Sequence, residues 1–179
     1  MESVQALKTK TFDSLKESLS LKNINQSPAV KKIVVSVGTG KIDDRNKIAL
    51  IQDRLAKITG QKPAPCKARK SIAAFKLRQG DIIGYMVTLR GDKMFHFLDK
   101  LIHLALPQTR DFRGLKISAI DDMSNYTIGI KEHSIFPETS DEELKDVFSL
   151  SVTIVTSAND KSEAEVLLRH LGLPLQKNK

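Results

Sequence analysis

The chain has 179 residues, 40% of them hydrophobic and 28% charged, and a formal net charge of +8. That length can bury a proper core within one domain, and the composition excludes a disordered basic tail. No run approaches the roughly 18 apolar residues of a membrane helix, and the amino-terminal stretch is too polar for a signal or transit sequence. A single cysteine, Cys66, excludes an internal disulfide and leaves little scope for a thiolate metal site. A cytosolic protein without cofactor or metal is expected, with Cys66 a small packed or half-exposed strand residue.

Apolar periodicity switches between the helical and the extended rhythm along the chain. Val4, Leu7, Leu15 and Leu19 predict an amphipathic helix that ends before Pro28. Ile33, Val35 and Val37 then alternate as a strand. After Gly38-Thr39-Gly40, the Asp43-Asp44 pair can cap a helix whose buried stripe is Ile48, Ile51, Leu55 and Ile58 and which stops at Gly60. Gln61 to Lys67 reads as an edge strand, because Pro63 and Pro65 cannot donate to a ladder on both sides. Ile83, Tyr85, Val87 and Leu89 form the next strand, closing at Gly91. Met94, Phe97, Leu98, Leu101 and Ala105 make a helical stripe halted by Pro107, and Tyr126, Ile128 and Ile130 a short strand.

Phe148, Leu150, Val152 and Ile154 share one face of a further strand, with Ser149, Ser151 and Thr153 on the other. The final helix has capping-box spacing at Ser162 and Glu165, an apolar stripe of Val166, Leu167 and Leu171, and a stop at Gly172-Leu173-Pro174. No repeat or composition break marks a second domain. The predicted fold is α+β: a single sandwich domain over residues 1–179, with helices on one face of a mainly antiparallel sheet.

Between Gln61 and Gly80 the chain carries Lys62, Lys67, Arg69, Lys70, Lys76 and Arg78 and no Asp or Glu. A patch of that density attracts a polyanion, since each cation that neutralises a phosphate releases condensed counterions. The strand residues opposite the core face, Ser36, Gly38, Gly84, Thr88, Arg90, Ser149, Ser151 and Thr153, are small, hydroxylic or cationic. Such a face either meets water or contacts riboses and phosphates, and the neighbouring basic loop favours the second reading. With no Trp and only 5% aromatic residues, base stacking is disfavoured and folded RNA read by shape is the expected ligand. Phe75, in the basic loop, is either an exposed ring or an anchor tucked against the body.

Enzyme chemistry finds little support. Gly38-Thr39-Gly40 lacks the remaining residues of either phosphate-binding glycine motif, and the helix after it opens with two carboxylates. His96 and His103 share a helix face without a third ligand, and Lys100 intrudes. His133 and His170 are isolated, and Asp121-Asp122 reads as a turn. The physical alternative is a DNA-binding protein, because counterion release does not distinguish the two nucleic acids. Against it, the cations lie on strands and a loop, and no helix carries a cationic recognition face.

Several strings occur in order: Thr59-Gly60-Gln61-Lys62-Pro63, Lys67-Ala68-Arg69-Lys70-Ser71-Ile72-Ala73, Phe75-Lys76-Leu77-Arg78-Gln79-Gly80, Val87-Thr88-Leu89-Arg90-Gly91, Arg110-Asp111-Phe112-Arg113-Gly114, Asn125-Tyr126 and Phe136-Pro137-Glu138. With them the chain closely resembles the bacterial-type large-subunit ribosomal protein five, the family that binds 5S ribosomal RNA. The resemblance implies a non-enzymatic constituent of the large ribosomal subunit, located on the cytoplasmic ribosome and joining 5S rRNA to the large rRNA in the central protuberance. Its implied partners also include P-site tRNA and other large-subunit proteins. By matching motif, Ser36, Gln61, Arg78, Thr88 and Arg90 are expected at 5S rRNA, with Lys62 and Lys67 at neighbouring phosphates. Arg69, Lys70, Ser71, Phe75 and Lys76 are expected on the tRNA-facing loop.

Two departures from the family stand out. Ser36 replaces a common Asn, which keeps a hydroxyl and loses the amide. Asp121-Asp122-Met123-Ser124 replaces a glycine-rich stretch, so no loop geometry or RNA contact is carried over there. The acidic segment Glu138, Asp141, Glu142, Glu143 and Asp146 should avoid RNA. It reads either as a solvated helix start or, as the resemblance implies, as a contact with a small-subunit head protein across the subunit interface.

Overall fold

The computed structural model describes residues 3–42, 44–139 and 146–176. Five strands, β1 (Val30–Gly38), β2 (Ala64–Lys67), β3 (Ile82–Leu89), β4 (Tyr126–Ile130) and β5 (Leu150–Thr156), form one sheet in the order β2-β3-β1-β5-β4. The sheet is antiparallel and open, giving the α+β class expected. Strict alternation sets its two faces: Ile33, Val35 and Val37 on β1, Tyr126, Ile128 and Ile130 on β4, and Leu150, Val152 and Ile154 on β5 are all buried. The residues between them are half-buried or exposed, so apolar burial fixes which side of each strand looks outward.

The chain divides into two compact units. The first comprises the described residues of Met1–Ile33, Leu89–Ile128 and Thr153–Lys179. Here α1 (Val4–Leu15) packs on α3 (Asp92–Lys100) and α5 (Lys161–His170). Ser3 caps α1 by accepting from the Ala6 amide, and the Val4 amide donates to Asp99 Oδ1 at 2.7 Å. The helix ends at Leu15, well short of the predicted limit; the remaining residues before Pro28 form turns and a 3₁₀ segment, Ile24–Gln26. Helix α3 runs on through a π-helical stretch, Leu101–Ala105, into α4 (Leu106–Gln108). Pro107 does not halt the helix at its own position: the wider turn, in which the Leu106 amide donates to Leu101 O, relieves the clash of its ring with a preceding carbonyl. The capping box expected at Ser162 is absent, since α5 starts at Lys161 and puts Ser162 in its first turn; the Glu163 carboxylate instead accepts from the Asn159 amide.

Residues 174–176 close this unit. The Leu115 amide donates to Pro174 O, the Gln176 amide donates to Leu115 O, and Arg169, paired with Glu165, donates to the carbonyls of Leu175 and Gln176. Gly114 has φ +90° here, and a Cβ would come within 3.1 Å of Gln176 and 3.2 Å of Pro174 O, so glycine is required. The Asp121 turn also matches expectation. Its carboxylate accepts from the Asn125 side chain and from the Asn125 and Met123 amides, which holds its pKa below the usual aspartate value.

The second unit comprises the described residues of Val34–Thr88 and Gly129–Val152. Asp44 caps α2 (Arg45–Thr59) by accepting from the Asn46 amide at 2.9 Å; Asp43 lies outside the described residues. Ile51, Leu55 and Ile58 are buried, and Gly60 ends the helix at φ +63°. Helix α2 packs against the 3₁₀ turn Pro137–Thr139. His133 is fully buried rather than isolated: its ring stacks on Phe148 at 4.0 Å and its Nδ1 accepts from the Phe148 amide.

Tyr126 offers a pH test of the first unit. Its ring is buried and its hydroxyl donates to Lys116 O at 2.9 Å, and burial pushes its pKa up to about 12. The unfolded chain therefore ionises this tyrosine first, near pH 10, and the stability gained by keeping it neutral is complete below pH 10. Unfolding midpoints in urea should fall between pH 10 and 12, and Tyr126→Phe should flatten that fall.

Candidate nucleic-acid interface

In the second unit, the outward face of the sheet contains Ser36 and Gly38 on β1, Gly84 and Thr88 on β3 and Ser151 on β5. Ser36 and Ser151 share a hydrogen bond, Oγ to Oγ, of 2.8 Å. Gly84 is a necessity of close strand approach, since a Cβ there would meet Val37 O at 2.6 Å. Strand β2 pairs antiparallel with β3, placing Ala64 opposite Met86 and Cys66 opposite Gly84, so these residues share the outward face. Cys66 is half-exposed, as expected, and Met86 is exposed. The edge strand is shorter than predicted: Gln61 and Lys62 form an exposed link after Gly60, Pro63 is buried, and pairing begins at Ala64.

A register shift between Cys66 and Lys67 ends regular pairing, and the chain continues as an internally bonded arm. Ala68 is buried; its amide donates to Asp81 O and its carbonyl accepts from Gly80. Farther out, Ile72 and Leu77 exchange both amide bonds, at 3.0 and 3.2 Å. Between them the 3₁₀ turn Ala73–Phe75 leads into Lys76, held at φ +52°. Ser71 Oγ accepts from the Gln79 amide, and the Asp81 carboxylate accepts from the Arg78 amide. Ser71 is thus engaged inside the arm. Phe75 is 69% exposed, which resolves the two readings of its ring in favour of exposure.

Lys62, Lys67, Arg69, Lys70, Lys76 and Arg78 are all exposed. Among the described residues, none of their side chains makes an ion pair. Their charge is left for an outside partner, and the ordered arm reduces the conformational entropy a ligand must remove. Ser36, Gln61, Lys62, Lys67, Arg78, Thr88 and the arm residues all belong to the second unit. Arg90 is exposed just past the end of β3 and is assigned to the first unit. Of the acidic set, Glu138 is exposed and Asp146 half-buried, while Asp141, Glu142 and Glu143 lie outside the described residues.

The phosphate-loop reading of Gly38-Thr39-Gly40 loses its central donor, because the Thr39 amide is committed to Ile83 O at 2.9 Å. The start of α2 is likewise occupied by the Asp44 carboxylate. His103 lies 3.9 Å from Asp99, and no cluster of three metal-ligating side chains occurs among the described residues. Sequence parity had placed Ser151 on the outward face, but its bond to Ser36 depends on strand order. Met86 and Ala64 were missed because cross-strand register sets their neighbours.

The arm's order is testable. Replacing both Ser71 and Asp81 with Ala should speed hydrogen exchange at the Arg78 and Gln79 amides by roughly 5- to 10-fold, as expected from losing one net hydrogen bond at each. The melting temperature should change little, because both positions are exposed.

A sequence model of the family described as "Ribosomal protein L5" matches residues 23–78, and a second model, describing the C-terminus of the same ribosomal protein family, matches residues 82–175. The large ribosomal subunit protein uL5 of Mycoplasma pneumoniae is 46% identical over 179 residues, covering 99% of both chains. Its namesake in Spiroplasma kunkelii is 52% identical over 156 residues, 87% of each chain, and that of Anaeromyxobacter sp. (strain K) 47% identical over 163 residues, 90% of this chain and 91% of the relative. A hydroxylic sheet face beside a cationic arm agrees with that likeness, and the chain belongs to the uL5 family of non-enzymatic large ribosomal subunit proteins.

Proposed function

We propose that this protein binds 5S rRNA through the outward sheet face and helps attach it to the large rRNA in the central protuberance, residues 1–179 acting as one RNA-binding domain. The observation that carries the reading is the junction of two surfaces within the second unit: a low hydroxylic face and an arm of cations unpaired among the described residues. Phosphates provide affinity through the cations, while small side chains let the broad minor groove of an RNA helix come close. Ser36, Gln61, Arg78, Thr88 and Arg90 are assigned to 5S rRNA, with Lys62 and Lys67 at adjacent phosphates. Arg69, Lys70, Ser71, Phe75 and Lys76 are assigned to P-site tRNA, a role supported by the exposed tip of the arm. The acidic segment Glu138, Asp141, Glu142, Glu143 and Asp146 is assigned to a basic protein of the small-subunit head, on charge and family resemblance.

Binding to 5S rRNA should be micromolar or tighter, with a log-log salt slope of about −4 to −6 if most of the six cations engage phosphates. Comparable affinity for duplex DNA of equal length would overturn the RNA assignment. Thr88→Ala and Arg90→Ala should weaken 5S rRNA binding more than Arg69→Ala, which should instead loosen tRNA on the ribosome. Reversing Glu142 and Glu143 to Lys should weaken subunit association in sedimentation without changing 5S rRNA affinity; unchanged association would remove the proposed protein contact.

A further inference from the structure

We infer that Ser151 is an additional RNA-positioning residue, and that the Ser36–Ser151 hydroxyl pair works as one recognition element for a ribose 2′-hydroxyl. This rests on the proposed 5S rRNA reading and adds to it a residue and a chemical target. The two oxygens lie 2.8 Å apart across β1 and β5, and both side chains are only half-buried. Each hydroxyl has one proton and two lone pairs. One proton is used within the pair, so a single O–H remains, and it belongs to the hydroxyl that accepts the internal bond. The pair therefore offers a donor on one oxygen and acceptor lone pairs on its neighbour. A ribose 2′-hydroxyl both donates and accepts, and can complete a cyclic arrangement with that pair; deoxyribose cannot.

The surroundings leave room for such a ligand. Gly38 is two residues from Ser36 on the same face; a Cβ there would meet nothing within 4 Å, and its φ lies outside the left-handed range. Neither crowding nor backbone shape within the chain calls for glycine, a residue that weakens a strand. Close approach of a ligand backbone accounts for it. Gly84, by contrast, is required by the approach of Val37 O.

The test is a double-mutant cycle on 5S rRNA transcript binding, with urea unfolding of every variant. Ser151→Ala should lower affinity by about 5- to 10-fold, the loss expected for one such hydrogen bond, and Ser36→Ala by a similar factor. The double variant should lose little more than either single one, because each substitution dismantles the same element. Ser151→Thr, which keeps the hydroxyl on a strand-favouring side chain, should bind within about twofold of wild type, and the Ser151→Ala loss should come with a level urea midpoint, which a purely structural role for the hydroxyl would not give. Gly38→Ala should weaken binding without lowering the urea midpoint. Wild-type affinity for Ser151→Ala or Gly38→Ala, or losses that multiply in the double variant, would overturn the inference while leaving 5S rRNA binding intact. Failure of the wild-type chain to bind 5S rRNA would instead remove the parent reading and this one with it.

Discussion

Strand side chains alternate with a period of two, and on β1, β4 and β5 one set is buried in apolar contact. Each square ångström of apolar surface taken from water contributes about 25 cal/mol, so shifting a strand by one residue would expose its whole apolar set. The outward set has no such energetic vote. Ser36 faces outward because Val35 and Val37 on either side of it must face inward. Which positions make up the outward face is thus set by the residues buried behind it, and its hydroxyl groups can vary without threatening the core.

The arm beyond β2 meets a different requirement. Its cations repel one another, and it buries little beyond Ala68. Order comes from backbone pairing, with the Ile72–Leu77 bridge near the tip and the Ala68–Gly80–Asp81 bonds at the base. Asp81, just outside the acid-free stretch, spends its carboxylate on a backbone amide instead of neutralising an arm side chain. The arm holds its shape while keeping its cationic groups available.

The sheet was legible in the sequence wherever apolar residues alternated, and α2 was legible because its cap, stripe and terminal glycine all agreed. Errors fell where tertiary context overrides local pattern. Leu19 continued a helical spacing that the chain abandons after Leu15; Ser162 had capping spacing, yet α5 begins one residue before it. Pro107 marked a disturbance in the helix, but spacing alone could not reveal the π turn that accommodates it. At the interface, composition was enough to find the cations and hydroxyls. The contact between Ser36 and Ser151, separated by 115 positions, follows from β1 and β5 being sheet neighbours, which no local motif encodes.

The bonding of residues 174–176 to Leu115 and Arg169 has a consequence for biosynthesis. Translation proceeds from amino to carboxyl end, so every residue of the unit that ends at Val152 leaves the peptidyl-transferase centre before Gln176 is added. The other unit must wait for that late segment to close it. The outward face assigned to RNA takes Ser151 from β5, so it too is completed only after most of the polypeptide has been made, which makes ribonucleoprotein assembly a late event in the life of the nascent chain.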